Sequence, residues 1–353
     1  MAIPEQSNAG KVVVALDAHG GDFGPSVTVP AALEVLAIQH NLEILLCGIP
    51  VQVQTVLDKH CAEGRFGRCV ERLELKEASH TLAQDARPVA ALRRGRGSSL
   101  WLALEQVADG RASACVSAGS TAAMLALGVK LLGMLPGIER PALMSPIPSA
   151  SGHTNLLDLG ATLNVSANQL VQFAIMGSVA CSRREGAAPA SVALLNVGHE
   201  DGKGDAVVQE AHAMLRELPI NYNGFIEGHD IFAGKADVAV CDGFSGNLIL
   251  KSGEGLAEMF LQHLRTAMGQ GALARMGSLL AGRSLKRALA RFEPSKHNGA
   301  PLLGLGGVVV KSHGNAGRGA MANAIREAVK ESERNVPQRI AAMINDYSIE
   351  EHV

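Results

Sequence analysis

Six short segments carry residue types that could do chemistry, each placed where an apolar run gives way to glycine and polar side chains. In Asp17-Ala18-His19-Gly20-Gly21-Asp22-Phe23-Gly24-Pro25, glycines let backbone N–H groups converge on an anion. A helix expected from Ser26 adds its positive end, and the pattern suits a phosphate. Asp17 and Asp22 would repel that anion, so each reads first as a turn or capping residue. Ser117-Ala118-Gly119-Ser120-Thr121 again joins a strand end to a helix start, where hydroxyls and amides hold phosphate or an oxyanion, or else cap the helix. Leu157-Asp158-Leu159-Gly160-Ala161-Thr162-Leu163-Asn164 has the same character. Lys203 stands between Gly202 and Gly204 in an otherwise acidic loop, where a flexible ammonium can reach a cleft and neutralise phosphate, or simply stay solvated. Asn247, in Asp242-Gly243-Phe244-Ser245-Gly246-Asn247, can donate to a carbonyl oxygen that becomes an oxyanion. His313, with Lys311 two residues before it, can hydrogen-bond phosphate or carry a proton near neutral pH.

These segments need elements to hold them. Val12 to Leu16, Glu43 to Gly48, Ala114 to Ser117, Asn155 to Asp158, Ser191 to Val197, Ala236 to Asp242 and Val308 to Lys311 are short apolar runs, most followed by glycine and a helical pattern. Continuous apolar strands alternating with helices predict a layered α/β/α fold on a mainly parallel sheet, with ligands beyond the carboxyl ends of the strands. The organisation expected is a flexible tail over 1–10 and a single α/β catalytic domain over 11–347. An amphipathic helical segment of about 254–292 is inserted in it, to pack on the core or a second subunit or to meet lipid. The exposed connections 92–99, which carry RRGRGSS, and 183–189 are too short to be interdomain linkers.

Composition narrows the function classes. With 32 basic and 34 acidic residues the chain lacks the positive excess that nucleic-acid binding requires, and with 3% aromatic residues it lacks stacking platforms for bases. The six cysteines show neither C-x-x-C nor zinc spacing and read as buried thiols. No metal and no cofactor are expected; Asp158, Asp237 and Asp242 would form a magnesium site only if the fold gathered them. Gly317-Arg318-Gly319-Ala320-Met321-Ala322 lacks the preceding strand and the last glycine of a dinucleotide fingerprint. The absence of a G-x-S-x-G elbow argues against a serine acyl-enzyme. No apolar stretch of membrane-spanning length and no signal-like leader is present, and a cytoplasmic protein is expected.

Taken in order, DAHGGDFGPS, SAGSTAAM, LDLGATLNV, QFAIMGSVA, LLNVGHEDGKG, CDGFSGNLILKSGEG and GGVVVKSHGNA resemble the bacterial phosphate acyltransferases of the PlsX family, from Val12 to about Val329. The resemblance implies transfer of a long-chain fatty acyl group from acyl-acyl-carrier-protein to inorganic phosphate, yielding acyl phosphate and free carrier for phospholipid synthesis. It also implies a fold like that of phosphotransacetylases and isocitrate or isopropylmalate dehydrogenases, a homodimer, and work beside a membrane glycerol-phosphate acyltransferase. Lys203, Asn247 and His313 are then the expected catalytic residues. Asp17, Gly20, Gly21, Asp22, Ser117, Gly119, Ser120, Thr121 and Lys311 are expected to bind phosphate or the acyl group. Because the carrier protein is acidic, Arg265, Arg275, Arg283, Lys286 and Arg287 are expected to dock it. The chain departs from the family pattern with His19 in place of Met, Ser120 of Asn, Thr162 and Asn164 of Asn and Asp, and His199 of Glu. A short-chain phosphotransacetylase and a non-catalytic acyl-binding scaffold are the competing readings.

Overall fold

The computed structural model describes residues 10–62, 67–182, 189–269, 282 and 298–350. Its first half alternates β1 (Val12–Asp17), α1 (Pro25–Ile38), β2 (Leu42–Gly48), α2 (Pro50–Ala62), β3 (Leu73–Glu77), α3 (Pro88–Arg94), α4 (Ser99–Ala108), β4 (Ala114–Ser117) and α5 (Thr121–Leu132). A hairpin of β5 (Ala142–Ser149) and β6 (Gly152–Leu157) leads to α6 (Ala167–Cys181), β7 (Val192–Leu195), α7 (Ala206–Arg216), β8 (Tyr222–Ile226), α8 (Gly228–Ala233), β9 (Val238–Val240) and α9 (Gly243–Gly269). The chain then returns through β10 (Ala300–Leu303), β11 (Val308–Lys311), α10 (Arg318–Glu333) and α11 (Val336–Glu350).

The described strands form one sheet in the order β3-β2-β1-β4-β11-β10-β5-β6-β9-β7-β8. Its two flanks are parallel, and β10 and β5 make an antiparallel seam between them. The apolar strands follow from burial on both faces. Val14 and Leu16 of β1 face a cluster with Leu33, Leu36 and Ile325, whereas Ala15 joins Trp101, Leu104 and Leu127 on the opposite face. In the second flank, Val192, Val238 and Val240 pack against Phe173, Leu215 and Ile340.

The layered, mainly parallel architecture is the expected one, and the seam is its unanticipated part. β5 contains Pro146 and Pro148, and β10 contains Pro301, so neither presents an ordinary strand pattern. The cysteines are free thiols, but only Cys47, Cys115 and Cys241 are buried; Cys61 is exposed, and Cys69 and Cys181 are intermediate. α9 starts inside the DGFSGN motif, well before residue 254. Among the described residues, no helix is long and apolar enough to cross a membrane.

The seam sets the level at which the flanks end. Ala300 faces Lys311, Leu302 faces Leu143, and Met144 faces Leu157. Thus β11 and β6 run in opposite directions, yet their carboxyl ends stop at nearly the same height. Loops from both flanks are thereby delivered to one cleft.

Candidate active site

The floor of the cleft is tied together before any reactive group enters it. Asp17, buried at the end of β1, accepts from Ser117 Oγ of β4 (2.7 Å) and from the His19 amide (3.2 Å). Ser117 Oγ in turn accepts from the Gly119 amide (2.9 Å), and the Asp22 amide donates to Gly314 O (2.8 Å). Gly20 approaches the 117–119 backbone so closely that a Cβ there would lie 2.7 Å from the Ala118 nitrogen. The Asp17, Gly20, Gly21, Asp22, Ser117 and Gly119 group is therefore a brace joining three strand ends. Ser120 caps α5, accepting from the Ala123 amide (3.3 Å) while donating to Ala86 O (3.0 Å); this puts Thr121 at the first helical position, facing the cleft.

From the other flank, buried Asp158 accepts from the Leu143 (2.8 Å), Ala161 (3.2 Å) and Thr162 (2.6 Å) amides and so shapes the 158–162 loop. Burial pushes its carboxyl above the usual range, against the pull of those amides. α9 sits directly on this loop. Asp242 caps it through the Ser245 amide (2.9 Å), and a Cβ on Gly246 would lie 1.8 Å from Asp158 O, so only glycine permits the contact. Seated in this way, α9 carries Asn247 past Gly160, with Lys251 one turn further along the same face.

Between the flanks lies a cavity of about 320 Å³ lined by Thr121, Asn247, Lys251, Lys311, Ser312 and His313, among others. Lys311 Nζ contacts Ala118 O (3.4 Å) and Ser312 O. Burial, with Lys251 beside it, pushes its ammonium down to about 8, and Asp22 opposes that shift. The His313 amide donates to Asn298 Oδ1 (2.9 Å), and Asn298 Nδ2 donates to Ser312 Oγ (2.8 Å) and Ala320 O (2.7 Å). Burial lowers the His313 pKa; Glu254, 3.7 Å from Nε2, opposes it, while Lys251 and Lys311 reinforce it. The result is a chamber that combines leucine side chains with two ammonium groups, one of them, Lys251, paired with Glu254 at 2.8 Å, an imidazole that favours its neutral form, an amide, and the start of a helix.

Next to it is an apolar groove of about 480 Å³, which shares Ser145, Leu250 and His313 with the chamber. Ile147, Phe232, Ile249, Leu256, Met259 and Phe260 are among its walls. Phe260 and Leu256 are 61% and 63% exposed, so the groove opens directly to the surface.

The fold thus brings together Thr121, Asn247, Lys311 and His313 from the expected set. Lys203 stands apart: it is half exposed, pairs with Glu200 at 3.3 Å, and does not line the chamber. Arg265 lies on α9, and Arg275, Arg283, Lys286 and Arg287 lie outside the described residues. Lys251, Asn298 and Glu254 escaped the sequence reading. Lys251 had a usable signal, standing four residues after Asn247 on one helix, whereas Asn298 acts through a backbone amide that leaves no sequence pattern. Besides Ser120, which caps α5, two more of the departures from the family pattern have local structural work. His19 Nε2 accepts from the Ile49 amide (3.0 Å), and His199 sits 3.1 Å from buried Asp230.

The architecture is similar to that of a phosphotransacetylase from Streptococcus pyogenes, at 17% identity over 93% of this chain and 96% of that one, with a TM-score of 0.60. It is also similar to the EutD phosphotransacetylase from Staphylococcus aureus, at 14% identity over 91% and 94% with a TM-score of 0.57. A branched-chain phosphotransacylase from Enterococcus faecalis matches at 13% identity over 92% and 99%, with a TM-score of 0.55. At these identities the likeness is one of fold. The sequence itself matches, over residues 12–339, the model of the family described as fatty acid synthesis protein. A match of that extent makes this chain a member of the fatty acid synthesis protein family, the PlsX family.

Proposed function

We propose that the protein transfers a long-chain acyl group from the thioester of acyl carrier protein to inorganic phosphate, releasing the carrier thiol and an acyl phosphate. The observation that carries this reading is the junction of a cationic chamber with an open apolar groove at His313, Ser145 and Leu250. Phosphate is held by Lys251, Lys311 and the start of α5, while the acyl chain lies in the groove and leaves its carbonyl at the junction. A phosphate oxygen attacks the carbonyl carbon, and Asn247 donates to the oxyanion of the tetrahedral intermediate. Collapse breaks the carbon–sulfur bond. The proton that leaves hydrogen phosphate passes through neutral His313 to the departing thiolate, so the acyl phosphate leaves as a dianion and the carrier as a thiol. Lys203, exposed and paired with Glu200 outside the chamber, would act on phosphate only before it enters.

On this reading the product feeds phospholipid synthesis through a membrane glycerol-phosphate acyltransferase, and the protein works in the cytoplasm as a homodimer. The test is phosphate-dependent consumption of palmitoyl-acyl-carrier-protein, following free thiol and acyl phosphate together, with palmitoyl-coenzyme A in parallel. Both products should appear only with phosphate and with the carrier-bound substrate preferred. No thiol release from folded protein would overturn the reading, and preference for coenzyme A would return it to the phosphotransacetylase class.

A further inference from the structure

The segment from Thr81 to Ser98 has no place in the chemistry above, yet it borders the chamber. It holds four arginines, Arg87, Arg93, Arg94 and Arg96, against one carboxylate, Asp85. All four arginines are exposed, and among the described residues no carboxylate pairs with any of them. Val89 and Leu92 rise beside them on α3, 59% and 39% exposed. The surface therefore combines an uncompensated positive field with an apolar centre, a composition suited to a partner that is acidic with an apolar strip.

The segment is also held firmly. His80 Nε2 lies 2.8 Å from Arg94 O, the Ser79 amide donates to Gly97 O (3.1 Å), and a Cβ on Gly95 would lie 3.3 Å from the Leu127 side chain of α5. Ser120 Oγ ties Ala86 to the cap of α5, whose first residue, Thr121, lines the chamber. A protein seated on α3 is consequently at the mouth of the site, in position to extend a thioester-bearing arm into it.

We infer that α3 and its flanking arginines form the docking surface for the acidic carrier protein. The inference rests on the carrier-dependent reading above and replaces none of its chemistry. The experiment compares wild type with R93E/R94E and, separately, R87E/R96E, using palmitoyl-acyl-carrier-protein and palmitoyl-pantetheine as substrates. All four side chains are exposed, and circular dichroism checks the fold. Each pair should raise the KM for the carrier substrate roughly tenfold at low salt and flatten its salt dependence, leaving turnover of the pantetheine thioester within about twofold. Unchanged carrier kinetics, or an equal loss on both substrates, would overturn the inference. So would an effect confined to charge reversal at Arg265, Arg275, Arg283, Lys286 and Arg287. Weakened sedimentation with phosphatidylglycerol vesicles at unaltered carrier kinetics would assign the patch to lipid instead. If wild type consumes neither thioester, the acyl-transfer reading falls, and this inference with it.

Discussion

On the proposed reaction, single side chains in the chamber divide into those that hold an anion and those that act on the carbonyl, and their substitutions should separate accordingly. Asn247→Ala should lower kcat by about 10² to 10³ with little change in the KM for phosphate, since the lost donor serves the oxyanion. Lys311→Met should raise the KM for phosphate about tenfold or more, as expected for a charge-assisted contact. The Lys311 ammonium, pushed down to about 8, loses its charge as the pH rises through that value. Phosphate KM in wild type should therefore climb above about pH 8, and this limb of the profile should vanish in Lys311→Met. Far from the site, buried Glu331 is pushed up to about 7 by burial. A raised carboxyl pKa stabilises the fold at low pH, and the contribution is lost as the pH rises from the ordinary carboxylate range through 7. Glu331→Gln should therefore stabilise at pH 8 by on the order of 2 kcal/mol, an advantage that shrinks toward pH 5 in thermal unfolding. Asn247, Lys311 and His313 were legible because each falls where an apolar strand gives way to a short glycine-bearing polar segment. Lys203 offered the same local signal, but glycine's freedom does not aim a side chain.

At the scale of elements, the placement of Asn247 and Lys251 depends on α9 beginning without a loop on the 158–162 backbone. Gly246→Ala puts a methyl group into Asp158 O, which backbone cannot yield to cheaply. It should destabilise by about 3 kcal/mol and lower turnover in parallel, read by urea unfolding and by product formation. The sequence announced β1, β2, β4, β6, β7, β9 and β11, because burial on two faces leaves an unbroken apolar run. It did not announce the edge strands β3, with its alternating LELKE, and β8, nor β5 and β10 with their prolines. β3 is set by pairing with β2 and β5 in part by pairing with β10, partners distant in the chain that no local pattern records.

Across the whole molecule, substrate range is a property of how the chamber and groove adjoin. Leu256→Glu, a charge in the wall of the groove, should cut kcat/KM for palmitoyl thioesters at least tenfold while sparing acetyl thioesters, as a chain-length series would show. That loops meet at the carboxyl ends of the strands was readable from the glycine-rich strand ends. The union of the chamber with an apolar groove was not, because the groove is assembled from β5, α8 and α9 only after the flanks meet. The strand order has a further consequence for how the protein is born. β11, the last strand in chain order, lies between β4 and β10 at the centre of the sheet. A nascent chain that has not yet delivered it carries half-sheets with an open central edge at β4, the kind of edge chaperones must shield from aggregation on the ribosome. Lys311 and His313 arrive with the strand that closes that edge, so on the proposed reaction the chamber is completed and this hazard escaped in the same step.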